Sequence, residues 1–145
     1  MAQSSDSTLS IRNQIPGTVT SVTKGTAMAQ VKARLTGGQV VTAAITTDAA
    51  DELKLAEGTA VQAVIKATEV SLATGSVSGL SIRNQLPGTV TSIAAGAAMA
   101  SVKVSIEGGE LTAAITKDAV TDLGLKQGSS VVALVKSTDV SLATA

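Results

Sequence analysis

The sequence contains no Cys, His, Phe, Tyr or Trp. Without Cys and His, a zinc or other transition-metal site is not expected, and a Ser–His or Cys–His nucleophile is excluded. The lack of aromatic residues removes the stacking platforms of nucleic-acid modules, and Lys plus Arg equals Asp plus Glu at 11 each, so there is no basic excess either. We therefore expect neither an enzyme nor a nucleic-acid-binding protein.

Long apolar runs are also missing. No stretch approaches the roughly 20 apolar residues that a membrane-spanning helix needs, and the first ten residues, MAQSSDSTLS, are polar and have no apolar signal core. From these features we expect a cytoplasmic protein that does not associate with a membrane.

What the sequence does contain is a tandem duplication. The segment LSIRNQIPGTVTSV at Leu9–Val22 returns as LSIRNQLPGTVTSI at Leu80–Ile93. Two blocks continue the match: residues 9–38 agree with 80–109 at 20 of 30 positions, and 42–74 agree with 112–144 at 19 of 33. Such self-similarity predicts two copies of one small domain.

The duplication sets the expected domain boundaries. They are a polar tail at 1–8, a first domain at 9–74, a linker at 75–79 and a second domain at 80–145. A unit of about 65 residues has little core of its own, and without aromatic residues aliphatic side chains supply all of the burial. Association between repeats or between chains is therefore expected to complete the core.

The residue pattern of each repeat predicts four or five strands and one short helix. Ser10–Gln14 is predicted as a strand stopped by Pro16-Gly17, and β-branched Thr18–Val22 as the next. Ala27–Leu35 alternates between apolar and charged residues, and Gly37-Gly38 is a hairpin turn. The later strands are predicted at Val40–Ile45, Val61–Lys66 and Val131–Lys136. A helix is predicted from Thr47 to Leu53 with Thr47 or Asp48 as its cap, and Gly124 is predicted to end the equivalent helix of the second repeat. This order is typical of a small OB-like barrel.

Three polar positions recur in both copies. Ser10 and Arg12, with their counterparts Ser81 and Arg83, offer a hydroxyl and a guanidinium that suit a small oxyanion, although an edge-strand ion pair is the plainer interpretation. Thr46 and Thr116 precede the helix, where a hydroxyl either binds an anion or only caps. Lys66 and Lys136 end apolar strands, where a Lys either extends its amine to water or supplies charge to a cleft.

A family resemblance joins these positions. SIRNQxPGTVTSI, then GxAMAxV, then TAAIT, then a strand ending in Lys and the closing TxVSLA resemble the Mop domain of the molybdate-binding proteins called molbindins, which is related to the TOBE domain. The match covers nearly the whole chain twice, so the chain is similar to a di-Mop molbindin. The resemblance implies two tandem OB-like, five-stranded barrels in a homotrimer, with molybdate or tungstate bound at subunit interfaces.

The resemblance also implies a binding set and three departures from the family pattern. The implied oxyanion-binding residues are Ser10, Arg12, Thr46, Lys66 and Ala67 in the first repeat and Ser81, Arg83, Thr116, Lys136 and Ser137 in the second. Ile11 and Ile82 replace the family's usual Ala, Ala49 and Ala119 replace a frequent Ser, and Met28 and Met99 replace an Asn. If that Asn lines a second class of site, that class is in doubt here.

Two functions remain open from the sequence. The first is an oxyanion-binding protein for storage, buffering or homeostasis, which needs no cofactor and no direct cation ligand. The second is a structural β-oligomer, or a regulatory ligand-sensing module without a storage role. Anion titration separates them, because only the first requires tight binding.

Overall fold

The computed structural model describes residues 9–144, and the predicted tail at 1–8 lies outside them. Within this range the fold is almost entirely β, with one six-residue helix per repeat. The first repeat has β1 (Asn13–Lys24), β2 (Met28–Leu35), β3 (Val40–Thr46), α1 (Thr47–Glu52), β4 (Ala60–Ile65) and β5 (Ser71–Ala73). The second has β6 (Asn84–Ala95), β7 (Met99–Ile106), β8 (Gly109–Thr116), α2 (Lys117–Asp122), β9 (Ser130–Val135) and β10 (Ser141–Thr144).

The strands form two antiparallel five-stranded sheets that exchange their last strands. The strand orders are β10-β4-β1-β2-β3 and β5-β9-β6-β7-β8. Thus β5 of the first repeat pairs with β9 of the second, and β10 pairs with β4. The two edge strands of each sheet also contact each other, so each sheet curls toward a barrel. The predicted all-β class, with five strands and one helix per repeat, is confirmed, and the exchange is an addition to it.

The first strand differs from its prediction at both ends. β1 begins at Asn13, so Ser10 and Arg12 precede the strand, and it runs through Pro16-Gly17 without stopping. The nitrogen of Pro16 points toward the side of β1 on which β2 lies. The pairing with β2 begins only at Gly17, opposite Leu35, so on that side no strand within residues 9–144 lies beside Pro16 to accept a hydrogen bond. No ladder hydrogen bond is therefore lost at the proline.

Gly17 allows β1 to approach the backbone of β2 closely. A Cβ atom at this position would lie 2.8 Å from the carbonyl oxygen of Arg34, and one at the equivalent Gly88 would lie 2.5 Å from that of Ser105. These approaches leave no room for a side chain. The glycine therefore marks a close approach of β1 to the backbone of β2 within a continuous strand, rather than the break that the sequence predicted.

The predicted hairpin turn at Gly37-Gly38, which joins β2 to β3, is confirmed. In β2 every second residue is buried, with Val31, Ala33 and Leu35 at most 2% exposed, and the charged residues between them face solvent. The turn to β3 contains Gly38 at φ 99°. This hairpin turn and its counterpart in the second repeat meet closely, because a Cβ atom on Gly37 would collide with the backbone of Glu107.

Both helices lie where they were predicted, but a different residue caps them. The Thr46 hydroxyl oxygen accepts a hydrogen bond from the Ala49 N–H at 3.1 Å, and Thr116 does the same with Ala119. The prediction of Thr47 or Asp48 as the cap was wrong by one or two positions, because the cap is the last residue of β3, whose backbone is still extended. Gly124, at φ 61°, follows α2 as predicted.

The core is aliphatic and shared by both repeats. Buried Ile, Val, Leu and Ala side chains from the two sheets form one cluster, against which Leu72 and Leu142 of the exchanged strands pack. Each repeat thus uses a strand of the other to cover its core. Between residues 9 and 144, no helix is both long and apolar enough to cross a membrane.

Candidate functional site

Four of the five predicted residues of the first repeat line one cavity. The cavity measures about 240 Å³, and its lining residues are Ser10, Ile11, Arg12, Lys66, Ala67 and Thr68. Register explains the assembly: the start of β1 pairs with the end of β4, with Asn13 opposite Ile65. The segment before one strand and the residue after the other are therefore neighbours. We call Ser10, Arg12, Lys66 and Ala67 the first cluster.

The second repeat has the same arrangement by register. Asn84 at the start of β6 pairs with Val135 at the end of β9, as Asn13 pairs with Ile65. In both repeats the Arg Nε donates a 3.1 Å hydrogen bond to the carbonyl of the Ser two residues earlier. The matching second cluster consists of Ser81, Arg83, Lys136 and Ser137.

No cation of either cluster forms an ion pair within residues 9–144, although Glu69 and Asp139 line a neighbouring cavity together with Lys66. Over residues 9–144 the one ion pair joins Lys24 to Asp51 at 2.5 Å, away from either cluster. Arg12, Lys66, Arg83 and Lys136 are all exposed and are not paired with carboxylates in that range. The plainer interpretation of the arginine as part of a surface ion pair therefore does not hold within the described chain.

Lys66 is followed at once by a short 3-10 helix at Ala67–Glu69, of which it is the N-cap residue. Lys136 precedes the equivalent helix at Ser137–Asp139. The first N–H groups of such a turn have no partner within it. Each cluster therefore combines a guanidinium, an amine, a hydroxyl and a backbone N–H, all of which can donate hydrogen bonds.

The two threonines are not part of these clusters within one chain. Thr46 ends β3 and pairs with Met28 at the far end of β2, whereas Ser10 and Arg12 precede the opposite end of β1. Neither Thr46 nor Thr116 lines the cavity at Lys66. Both are exposed helix caps, and their hydroxyl protons stay free to donate because the oxygen is the acceptor in the cap.

The methionines that replace the family's Asn lie beside these threonines. Met28 pairs with Thr46 and Met99 with Thr116, and each methionine side chain is 48% exposed. A thioether accepts hydrogen bonds only weakly. The two methionines therefore offer an apolar surface next to the free hydroxyls.

Sequence reasoning missed two asparagines. Asn13 and Asn84 are the buried polar residues among those described, each 2% exposed. Asn13 donates to the Thr112 carbonyl at 2.9 Å and accepts from its N–H at 2.7 Å. Asn84 makes the same two bonds with Thr42. The available signal was their place in the inward-facing series that continues with Ile15 and Leu86.

A cation site has no comparable basis. No three acidic side chains between residues 9 and 144 come together in a way that would hold a metal ion. Since the clusters present donors, their chemistry suits an anion rather than a hard cation.

Comparison with known proteins agrees with the duplication. The profile of the TOBE domain matches the chain twice, at residues 9–72 and 80–142. Among curated relatives, the molybdenum-pterin-binding protein MopB of Rhodobacter capsulatus is 39% identical over 136 residues, covering 92% of this chain and 50% of its own length. The molybdenum transport protein ModE of Herbaspirillum seropedicae is 37% identical over 130 residues, covering 88% and 48%. The chain thus spans about half the length of these relatives.

A solved structure matches nearly the whole of this chain and the whole of its own. It is the cytoplasmic molybdate-binding protein ModG, in a crystal form with molybdate bound. The TM-score is 0.93 at 42% sequence identity, and the match covers 96% of this chain and 100% of that one. The tandem arrangement of two five-stranded units is therefore common to both proteins.

Proposed function

Because the chain belongs to the TOBE domain family, we propose that it binds molybdate and serves as a non-catalytic oxyanion-binding protein of the cytoplasm. Its similarity to ModG supports this function, since that protein is a cytoplasmic molybdate-binding protein and the match covers 96% of this chain. Storage or buffering of the anion is the role we assign. The regulator-like alternative is not favoured, because the structural match over almost the whole chain is to a molybdate-binding protein.

The observation that carries the proposal is a pair of cations around one cavity, neither of which forms an ion pair within residues 9–144. Arg12 and Lys66 line it together with the Ser10 hydroxyl, and the ion-pair partners of the described chain lie elsewhere. Molybdate is a tetrahedral dianion whose four oxygens all accept hydrogen bonds. A site made of one guanidinium, one amine, one hydroxyl and one N–H matches it in charge and in donor count.

We assign each cluster residue one contact. Arg12 and Arg83 would give charge-assisted hydrogen bonds through the nitrogens not used on the Ser carbonyl, and Lys66 and Lys136 would give the second charge. Ser10 and Ser81 would donate their hydroxyls. Ala67 and Ser137 would donate their backbone N–H groups, as the first residues of the 3-10 helices.

The threonines enter the proposal through a second copy of the chain. One cluster offers donors on one side only, whereas a tetrahedral anion has oxygens on every side. We propose that Thr46 and Thr116 of a neighbouring subunit close the sites and that the assembly is a homotrimer. Support comes from the exposed Met28 and Met99, which flank the free hydroxyls with apolar surface suited to burial in an interface.

Tungstate is expected to bind as well. It has the same charge, the same shape and nearly the same size as molybdate, and the clusters contain no group that responds to the difference. Sulfate has the same charge and shape but is smaller, so donors spaced for the larger anion would be stretched beyond good hydrogen-bond length.

A thermal-shift series with four anions tests the function. At matched ionic strength, so that screening is equal, molybdate and tungstate should raise the melting temperature by binding the folded state alone. Sulfate should raise it much less, and so should phosphate, whose protonated oxygen brings a donor into a site lined with donors. Equal shifts for sulfate and molybdate would reduce the site to a generic anion site, and no shift with any anion would contradict the proposal.

A further inference from the structure

The inference concerns Asn13 and Asn84, which the proposed binding chemistry does not use. Each side chain is 2% exposed, and each makes two hydrogen bonds, at 2.7 and 2.9 Å, to the backbone of a single residue in the other repeat. A buried side-chain amide paired in this way makes the same two hydrogen bonds that a peptide group of a neighbouring strand would make. It offers one donor and one acceptor side by side, which match the C=O and N–H of a strand.

The residues that these amides contact lie on edge strands. β3 and β8 are the outermost strands of their sheets, so every second N–H and C=O of each has no ladder partner on its outer side. Asn84 satisfies both groups of Thr42 on β3, and Asn13 satisfies both groups of Thr112 on β8. Each asparagine therefore ties the start of one sheet to the edge of the other.

Each asparagine lies beside the charged residues of the cluster in its own repeat. Asn13 follows Arg12 directly, and its strand partner Ile65 precedes Lys66 directly. The segment from Ser10 to Arg12 lies outside any strand. Asn13 is thus the fixed residue next to Arg12 and lies opposite Ile65, the residue next to Lys66, so its two bonds set the position of the backbone that carries Arg12.

We propose that Asn13 and Asn84 are positioning residues, each of which holds the oxyanion cluster of its own repeat in place through an edge strand of the other repeat. This inference rests on the proposed function, since it concerns the geometry of the same clusters. It adds that neither cluster is set by its own repeat alone. The first cluster depends on β8 and the second on β3.

A purely structural role makes a different prediction. In that case, loss of Asn13 would lower stability like any other buried substitution, and binding measured well below the melting temperature would not change. A positioning role predicts weaker binding at equal stability. Loss of a group that orients a metal-ligating residue typically weakens affinity by about 10–100-fold, and we expect an effect of the same order here.

The experiment is calorimetric titration with molybdate in two backgrounds. Arg83→Ala weakens the second cluster, so that binding in this background reports on the first cluster. Arg12→Ala does the reverse. Asn13→Ala is added to each, and Val31→Ala is the control, because Val31 is fully buried in the same repeat but lies in β2, away from the clusters. Circular dichroism verifies that every variant is folded at the titration temperature.

We expect Asn13→Ala to weaken binding by about tenfold or more in the Arg83→Ala background. In the Arg12→Ala background it should change affinity by less than twofold, and Val31→Ala should do little in either. Equal weakening in both backgrounds, or the same effect from Val31→Ala, would show general loosening and overturn the positioning role. Absence of molybdate binding by the parent protein would instead overturn the proposed function.

A second variant covers the case in which Asn13→Ala does not fold. Asn13→Asp keeps the side-chain volume and, while its carboxyl is protonated, keeps one donor and one acceptor toward Thr112. Hydrogen exchange of the Thr112 amide supplies an independent readout. The ionised carboxyl of Asn13→Asp could still accept from the Thr112 N–H but would have no donor for the Thr112 carbonyl, so we expect the buried charge to move toward water and release Thr112. Exchange should then be faster and binding at the first cluster weaker; faster exchange with unchanged affinity would overturn the inference.

Discussion

At the scale of single residues, exposed cations without carboxylate partners distinguish the clusters from the rest of the surface. Within residues 9–144 Arg12 makes one side-chain hydrogen bond, to the Ser10 carbonyl two residues away, and it lies outside any strand. Its contribution to folding should therefore be small. Its contribution to anion binding should be large, because hydrogen bonds to charged groups are the stronger kind.

Arg12→Ala and Arg83→Ala are predicted to weaken molybdate binding with little effect on stability. Loss of one charge-assisted hydrogen bond costs about 1.5–3 kcal/mol, which is roughly tenfold or more in affinity. Titration calorimetry and chemical denaturation measure the two effects. Arg34→Ala, at an exposed position on β2, is the matched control that removes the same charge elsewhere. Parent-like binding by both cluster variants would refute the assignment.

Asn13→Asp is predicted to make stability depend on pH. Burial raises the pKa of a carboxyl above its unfolded value of about 3.9, so the folded variant binds a proton more tightly than the unfolded one. Stability is therefore parent-like at low pH and falls as the pH rises through the folded-state pKa. The measurement is the free energy of unfolding from pH 5 to pH 8, with the parent protein subtracted. A difference independent of pH would mean that the side chain is not held against Thr112.

The sequence predicted the charged residues of the clusters but not the asparagines that hold them. Ser10, Arg12 and Lys66 were recognisable because chemistry and duplication both single them out. The role of Asn13 depends on a partner 99 positions away along the chain, and strand alternation indicates only that its side chain points inward. Which backbone group the inward-pointing side chain contacts depends on how the two sheets pack against each other.

At the scale of elements, the two helices end differently although they are copies. Gly124 takes the left-handed conformation after α2, and Lys54 takes it after α1 with φ 53°. Both ends use the same hydrogen bonds, including one from the Leu55 N–H to the Ala50 carbonyl in the first repeat. A lysine in this conformation is strained where a glycine is not.

Lys54→Gly is therefore predicted to stabilise the protein. The expected gain is about 0.5–1 kcal/mol, because relief of the left-handed strain outweighs the extra freedom of glycine in the unfolded chain. The lysine side chain is exposed, so little packing is lost. Urea denaturation measures the change, and the reciprocal Gly124→Lys should destabilise. A loss of stability in Lys54→Gly would contradict this account.

Strand positions followed well from alternation, and strand ends did not. β2 was predicted closely because its inward and outward residues differ in character at every step. The break predicted at Pro16-Gly17 was wrong, because the usual exclusion of proline from a central strand holds only where both neighbours are present. At Pro16 the pairing with β2 is absent, because it begins at Gly17. This depends on strand register, which amino-acid composition does not predict.

At the scale of the whole molecule, the exchange of β5 and β10 makes the two repeats one folding unit. Each sheet is incomplete without a strand from the other repeat, and the buried side chains form a single cluster. The exchange could not be predicted from local pattern. Ser71-Leu72-Ala73 and Ser141-Leu142-Ala143 are identical, so either strand fits either sheet equally well.

A single thermal unfolding transition is therefore predicted for the whole chain. Differential scanning calorimetry should give one endotherm, because neither repeat retains a closed sheet once the other unfolds. Val31→Ala and Val102→Ala, at equivalent and fully buried positions, should each lower the melting temperature of that one endotherm. Two endotherms, each lowered by only one of these substitutions, would mean that the repeats fold independently.

The most direct test of molybdate binding at shared sites is native mass spectrometry of the protein with and without excess molybdate. We predict an assembly of three 14.3 kDa chains that takes up a fixed number of molybdate ions, and a smaller number when Arg12→Ala or Arg83→Ala is introduced. A monomer whose mass does not change on addition of molybdate would contradict the account.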